Sequence, residues 1–95
     1  MHFRRIIVSY DVVNNARRAK LSKFLKGYLE RVQKSVFEGE IGDRKYEALK
    51  QEIAKQINQE EDTVRVYTLC ERCVASVDIV GTGVYIERGD EDILV

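Results

Sequence analysis

The sequence predicts a small α+β domain, and three observations carry that prediction. Runs of β-branched and aromatic residues are interleaved with amphipathic helical stripes. The chain has 95 residues, which suits a single hydrophobic core. It has no proline and 34% charged residues, yet aliphatic residues recur at clear periods throughout, unlike a disordered chain. A domain of this length buries a modest share of its surface and is often marginal alone.

Each element follows in order. FRRIIVSY (3–10) is dense in strand formers. VVNN supplies a turn, with Asn14 or Asn15 placed to cap a helix. From Ala16 to Glu30, Leu21, Phe24, Leu25, Tyr28 and Leu29 follow i, i+3, i+4, i+7, i+8, one buried stripe. Lys20, Lys23 and Lys26 fall on the wet side. Arg18 projects into the apolar arc from the first turn, so it leans over the end of the sheet where the first strand stops. RVQKSVFEGEI (31–41) is extended, either one bulged strand or two short ones meeting near Ser35. Asp43 is placed to cap a second helix with the stripe Tyr46, Leu49, Ile53 and Ile57. TVRVYTL (63–69) alternates as a half-buried strand. CVASVDIV (73–80) reads as another strand, and GVYIE (83–87) as a short piece before an acidic tail. The order is ferredoxin-like, βαββαβ, with an extra C-terminal strand. Residues 1–95 form one domain, and 81–95 are expected to pair with a second copy in a homodimer, covering an exposed sheet edge.

Charge is balanced overall but not along the chain. Residues 1–36 hold nine bases and two acids, a net +7, and residues 37–95 hold seven bases and fourteen acids, a net −7. Such asymmetry suggests one face built for phosphates. The competing reading is that both halves mix on the surface and the field cancels. No apolar run approaches a membrane span and no signal peptide precedes the first strand, so the expected location is cytoplasmic, with no membrane partner.

Asp11 ends the first strand, and two readings of it stand. Asp begins many turns by bonding its own backbone two residues on. Ligands of open α/β sheets, however, gather beyond the carboxyl ends of strands. Around Asp11 lie the N-terminus of the first helix, which favours anions, and Arg17 and Arg18. A carboxylate among phosphate-binding groups makes sense if Mg²⁺ bridges it to a phosphate oxygen. One Asp per chain is a thin metal site; two chains meeting here supply a pair.

Other signals lead elsewhere. Cys70 and Cys73 form a single Cys-x-x-Cys, whereas a zinc ribbon needs two such pairs in the chain. A dimer could supply the second pair, or the thiols could be redox-active. A reactive thiol is expected at a helix N-terminus, but this pair falls in a predicted strand-to-strand turn, which favours a reduced, structural role. His2 is the sole histidine, so Ser9 and Ser35 have no imidazole partner and a serine hydrolase is excluded. No Walker loop or paired-glycine dinucleotide motif occurs. An RRM's basic-Gly-aromatic signature is missing from VFEGEI and FRRIIVSY. EEDT and GDEDILV read as solvated surface or as a docking patch for a basic partner.

SYDVVNNARRAKLSKFLKGYLERVQKSVFEGE followed by EEDTVRVYTLCERC resembles the small CRISPR-associated nuclease of the spacer-acquisition machinery, from residue 6 to about 80. The motifs are a strand ending in Tyr-Asp, basic residues on the next helix, Arg-Val-Gln-x-Ser-Val-Phe-Glu-Gly, and an Arg-containing strand leading to Leu-Cys. The resemblance implies a ferredoxin-like homodimer whose C-terminal strand joins the partner's sheet. It implies a Mg²⁺-dependent endonuclease cutting single-stranded RNA or double-stranded DNA. It also implies a bridge between dimers of the CRISPR integrase; the alternative is that the protein is this non-catalytic adaptor alone. By position, the catalytic, metal-binding aspartate matches Asp11, and the nucleic-acid contacts match Arg18, Lys20, Arg31 and Phe37, with Arg17 beside them. Lys20 departs from the arginine of some relatives and offers a point charge in place of a planar fork. Phe37 either stacks on a base or packs the interface, and packing suits a Phe in a Val-Phe strand.

Overall fold

The computed structural model describes residues 3–81. The chain runs β1 (Phe3–Asp11), α1 (Asn15–Lys26), β2 (Glu30–Gln33), β3 (Val36–Gly42), α2 (Asp43–Gln56), β4 (Thr63–Leu69) and a short α3 (Glu71–Ala75). The strands form one sheet in the order β2-β3-β1-β4, and every neighbouring pair is antiparallel. This is the ferredoxin-like βαββαβ arrangement that the element order predicts. RVQKSVFEGEI resolves as two strands, with an irregularity between Arg31 and Gln33.

The core lies between the sheet and α1 and α2. Ile6, Val8 and Tyr10 alternate inward along β1, as a half-buried strand requires. They meet Leu21, Leu25 and Leu29, then Phe37 and Ile41, then Tyr46, Leu49 and Ile53. The stripe predicted for α2 holds, with Ile57 partly buried at its end. That for α1 holds only in part. The helix stops at Lys26, where Gly27 and Tyr28 donate to the Phe24 and Leu25 carbonyls at 3.1 and 3.0 Å. Tyr28 thereby leaves the stripe and becomes exposed, its ring 5.2 Å from that of Phe24.

Two local expectations are corrected. Asp43 is not the cap of α2: Gly42 occupies that position, and the Asp43 carboxylate accepts from Arg4 Nε at 2.8 Å. Residues 73–80 do not form a strand. Val74 donates to the Cys70 carbonyl and Ser76 to that of Cys73, closing α3. Every residue from 70 to 81 is exposed, so the apolar side chains there have no packed surface to reward an extended form. The predicted piece at 83–87 and the 81–95 pairing lie outside the described residues, apart from Gly81.

Candidate functional site

The carboxyl end of β1 is where the sheet, α1 and two turns converge. Asp11 pairs with Thr63 at the start of β4, and Ser9 with Val36 at the start of β3. The Tyr10 amide donates to the Ser35 carbonyl at 3.1 Å, bringing in the β2–β3 turn. Asn14 caps α1, its side-chain oxygen accepting the Arg17 amide at 2.9 Å. Because Ile6, Val8 and Tyr10 point into the core, alternation sends Arg5, Ile7, Ser9 and Asp11 to the face without helices. The Asp11 carboxylate is exposed, and no side chain among the described residues pairs with it.

On the helical side of the same strand end lies a cleft of about 450 Å³. Its walls carry Arg18, Lys23, Lys26, Arg31 and Lys34, with Tyr10 and Ser22 between them. Arg18 Nε donates to the Val12 carbonyl at 3.0 Å, so this side chain does lean over the strand end. Arg31 donates from Nε and Nη2 to the Lys34 carbonyl at 3.2 and 2.8 Å. The Tyr10 hydroxyl donates to the same oxygen at 3.4 Å. Burial pushes the Tyr10 phenol up; a hydrogen bond with Ser22 and the charges of Arg31 and Arg18 oppose this. It therefore stays a neutral donor at physiological pH. The fold thus brings Arg18 and Arg31 together, while Lys20 is exposed on α1 outside the lining of this cleft. Lys23, Lys26 and Lys34 were not singled out as contacts from sequence. The signal was present: Ala19, Ser22, Lys23 and Lys26 share one helical face, two small residues opening it between the cations.

Arg17 is engaged with two carboxylates and lies outside the lining of this cleft. Its Nε donates to Asp62 Oδ2 at 2.9 Å, and its Nη2 donates to Asp62 Oδ1 at 3.3 Å and Glu61 Oε2 at 3.0 Å. Asp62, in the EEDT stretch that reads as surface, is buried. Its carboxylate also accepts the Val13 amide at 3.1 Å and the Asn58 amide at 2.8 Å. The Arg17 guanidinium first, then these amides, hold its carboxyl down to about 2 against the cost of burial. The ion pair clasps the loop after Asp11 to the loop before β4. Phe37 is fully buried, 6.2 Å from the Tyr10 ring, with the Arg31 guanidinium 5.9 Å from its centroid. Phe37 thus packs inside the protomer core, not at an interface between copies.

The exposed Asp11 carboxylate at this end is an oxygen donor of the kind a hard cation takes. No cluster of three or more His, Cys, Asp or Glu residues able to hold a metal occurs among the described residues. Magnesium is commonly held by one or two carboxylates with water and phosphate oxygens, and an exposed carboxylate such as Asp11 fits as one of those ligands. No helix among the described residues is long and apolar enough to cross a membrane.

With this geometry in hand, known proteins give the chain its relatives. The sequence model of CRISPR associated protein Cas2 matches residues 4–77. The chain is 40% identical over 86 residues to the CRISPR-associated endoribonuclease Cas2 of Thermotoga maritima, covering 90% of this chain and 93% of that one. The Streptococcus pyogenes Cas2 crystal structure superposes with a TM-score of 0.71 at 27% identity, over 81% of this chain and 99% of that one. The structure of a partial Cas6-RT-Cas1–Cas2 complex gives a chain with a TM-score of 0.70 at 27% identity, over 90% and 95%. On a family match that spans most of the domain and a fold shared with solved members, the chain belongs to the CRISPR-associated Cas2 family.

Proposed function

We propose that this protein is a homodimeric, Mg²⁺-dependent endonuclease of CRISPR spacer acquisition, hydrolysing phosphodiester bonds of single-stranded RNA, double-stranded DNA or both. One observation carries the reading: Asp11 ends the central strand exposed and unpaired among the described residues, on the sheet face without helices. Ile7 shares that face, and Tyr67, which is 48% exposed, lies opposite it on β4. Two such faces apposed about a twofold axis would bury these apolar side chains and bring the two Asp11 residues to one cleft.

Bound Mg²⁺ supplies a water of lowered pKa and positive charge against the transition state. Asp11 and its symmetry mate would offer the oxygens that hold the ion. Arg18 and Arg31, on the helical side of the strand end, bind backbone phosphates of the nucleic acid beyond the reacting bond, and the pair of bonds to the Lys34 carbonyl fixes the Arg31 plane beforehand.

The test is cleavage of RNA and duplex DNA by purified protein with Mg²⁺ or with EDTA. Asp11→Ala should fold, dimerise and lose activity about a hundredfold or more, as EDTA should impose on the wild type. A variant that cuts at the wild-type rate overturns the proposal.

A second reading has its own support. The basic cleft and Asp11 lie on opposite faces of the sheet, so the cleft can hold nucleic acid without the carboxylate. This suits a non-catalytic adaptor joining DNA to the CRISPR integrase, in line with the Cas1–Cas2 assembly of a structural relative. Under that reading Asp11→Ala retains nucleic-acid binding and integrase co-purification, while Arg18→Ala with Arg31→Ala weakens nucleic-acid binding.

A further inference from the structure

We propose that Cys70 and Cys73 form a thiol–disulfide exchange site that takes a low-molecular-weight disulfide, with Cys70 attacking and Cys73 resolving. The two sulfurs lie 3.2 Å apart and both residues are exposed. The Cys73 amide donates to Cys70 Sγ at 3.4 Å, fixing that sulfur toward its partner. Spacing of three within one turn brings side chains within the reach that a disulfide needs. Cys70 also opens onto a cleft of about 640 Å³, shared with Phe3, Arg4 and Val74, with room for an incoming disulfide.

The two thiols are not equivalent. The Cys73 thiol first, then the Cys73 amide, lower the Cys70 thiol, whereas hydrogen bonding to Cys70 raises that of Cys73. The thiolate is the nucleophile in exchange, and the Cys73 amide aimed at Cys70 Sγ from 3.4 Å stabilises a thiolate there, so attack falls to Cys70. This site stands apart from the strand end discussed above. Arg5 pairs with Leu69 and Asp11 with Thr63, so Cys70 lies at the opposite end of β1 from Asp11.

The chemistry balances without another reactant. The Cys70 thiolate attacks one sulfur of the small disulfide; that S–S bond breaks, a mixed disulfide forms on Cys70, and one thiolate leaves. Cys73, giving its proton to solvent, then attacks Cys70 Sγ and expels the second thiolate. The protein loses two electrons and two protons, and the small disulfide is reduced to two thiols. Because residues 70–81 are exposed and outside the core, the oxidised turn leaves the sheet and its two long helices intact.

Oxidised glutathione is the probe, added anaerobically to reduced full-length protein near neutral pH and followed by intact mass and peptide mapping. Wild type should lose two hydrogens and retain no glutathione. Cys73→Ser should trap one glutathione on Cys70, and Cys70→Ser should gain it on Cys73 about tenfold more slowly. Independently, alkylation of wild-type protein across a pH series should modify Cys70 at lower pH than Cys73. Equal rates in the two variants, two glutathiones accumulating on wild type, or a thiol pair that stays reduced would each overturn the proposal.

Discussion

Asp62 is a full negative charge with its side chain removed from solvent, held by one guanidinium and two backbone amides. An unfolded Asp titrates near ~3.9, so a folded value of about 2 means that the native state binds this proton less tightly. The stabilisation is complete above about pH 5 and is lost as pH falls from ~4 through about 2. Urea midpoints measured across that range should fall, and Asp62→Asn should flatten the fall while lowering Tm at pH 7 by on the order of 10 °C. Sequence could not mark Asp62, since one acid among EED looks like its neighbours until the loop after Asp11 folds back to meet it. The ion pair of Arg17 was hidden for the same reason: its carboxylate partner lies 45 positions away. The burial of Phe37 was legible, because a Phe in an alternating strand is usually core, whereas its place among the nucleic-acid contacts came from the resemblance. Phe37→Ala should cost about 3–5 kcal/mol, seen as a shifted denaturant midpoint. Phe37→Leu should cost less and leave nucleic-acid affinity unchanged; a selective loss of affinity in a stable Phe37→Leu would show a stacking role after all.

At the level of elements, periodicity sufficed wherever a segment had a face to bury. β1, β4 and the α2 stripe follow their patterns because each packs on the shared core. The segment after Cys70 has strand-forming residues without a described neighbour to pack on, and local carbonyl and sulfur acceptors bend it into a turn. Amide hydrogen exchange should separate the two cases. β1, bonded on both sides by β3 and β4, should exchange slowest, and residues 71–81 fastest. Slow exchange across 73–80 would contradict the turn. The cap of α1 was readable to within one residue, and Asn14→Ala should cost about 1 kcal/mol through loss of the bond to the Arg17 amide.

At the scale of the whole molecule, the +7 of the first 36 residues becomes a cleft rather than a diffuse field. Nucleic-acid affinity should therefore fall steeply as salt rises, and Arg18→Ala or Arg31→Ala should each reduce the slope by about 1 in a log–log plot. A slope equal to wild type in both would remove these side chains from the interface. What no single chain could reveal is which surface meets a second copy, since that depends on two molecules. The sheet's margins bear on how such an assembly ends. β4 offers seven regular residues along its outer side, whereas β2 offers four, interrupted by a bulge and bearing Glu30 and Arg31. A margin so short and charged is a poor template for further strands. Two copies joined through their β4 margins would leave only the β2 margins outward, and such a particle would stay discrete at high concentration.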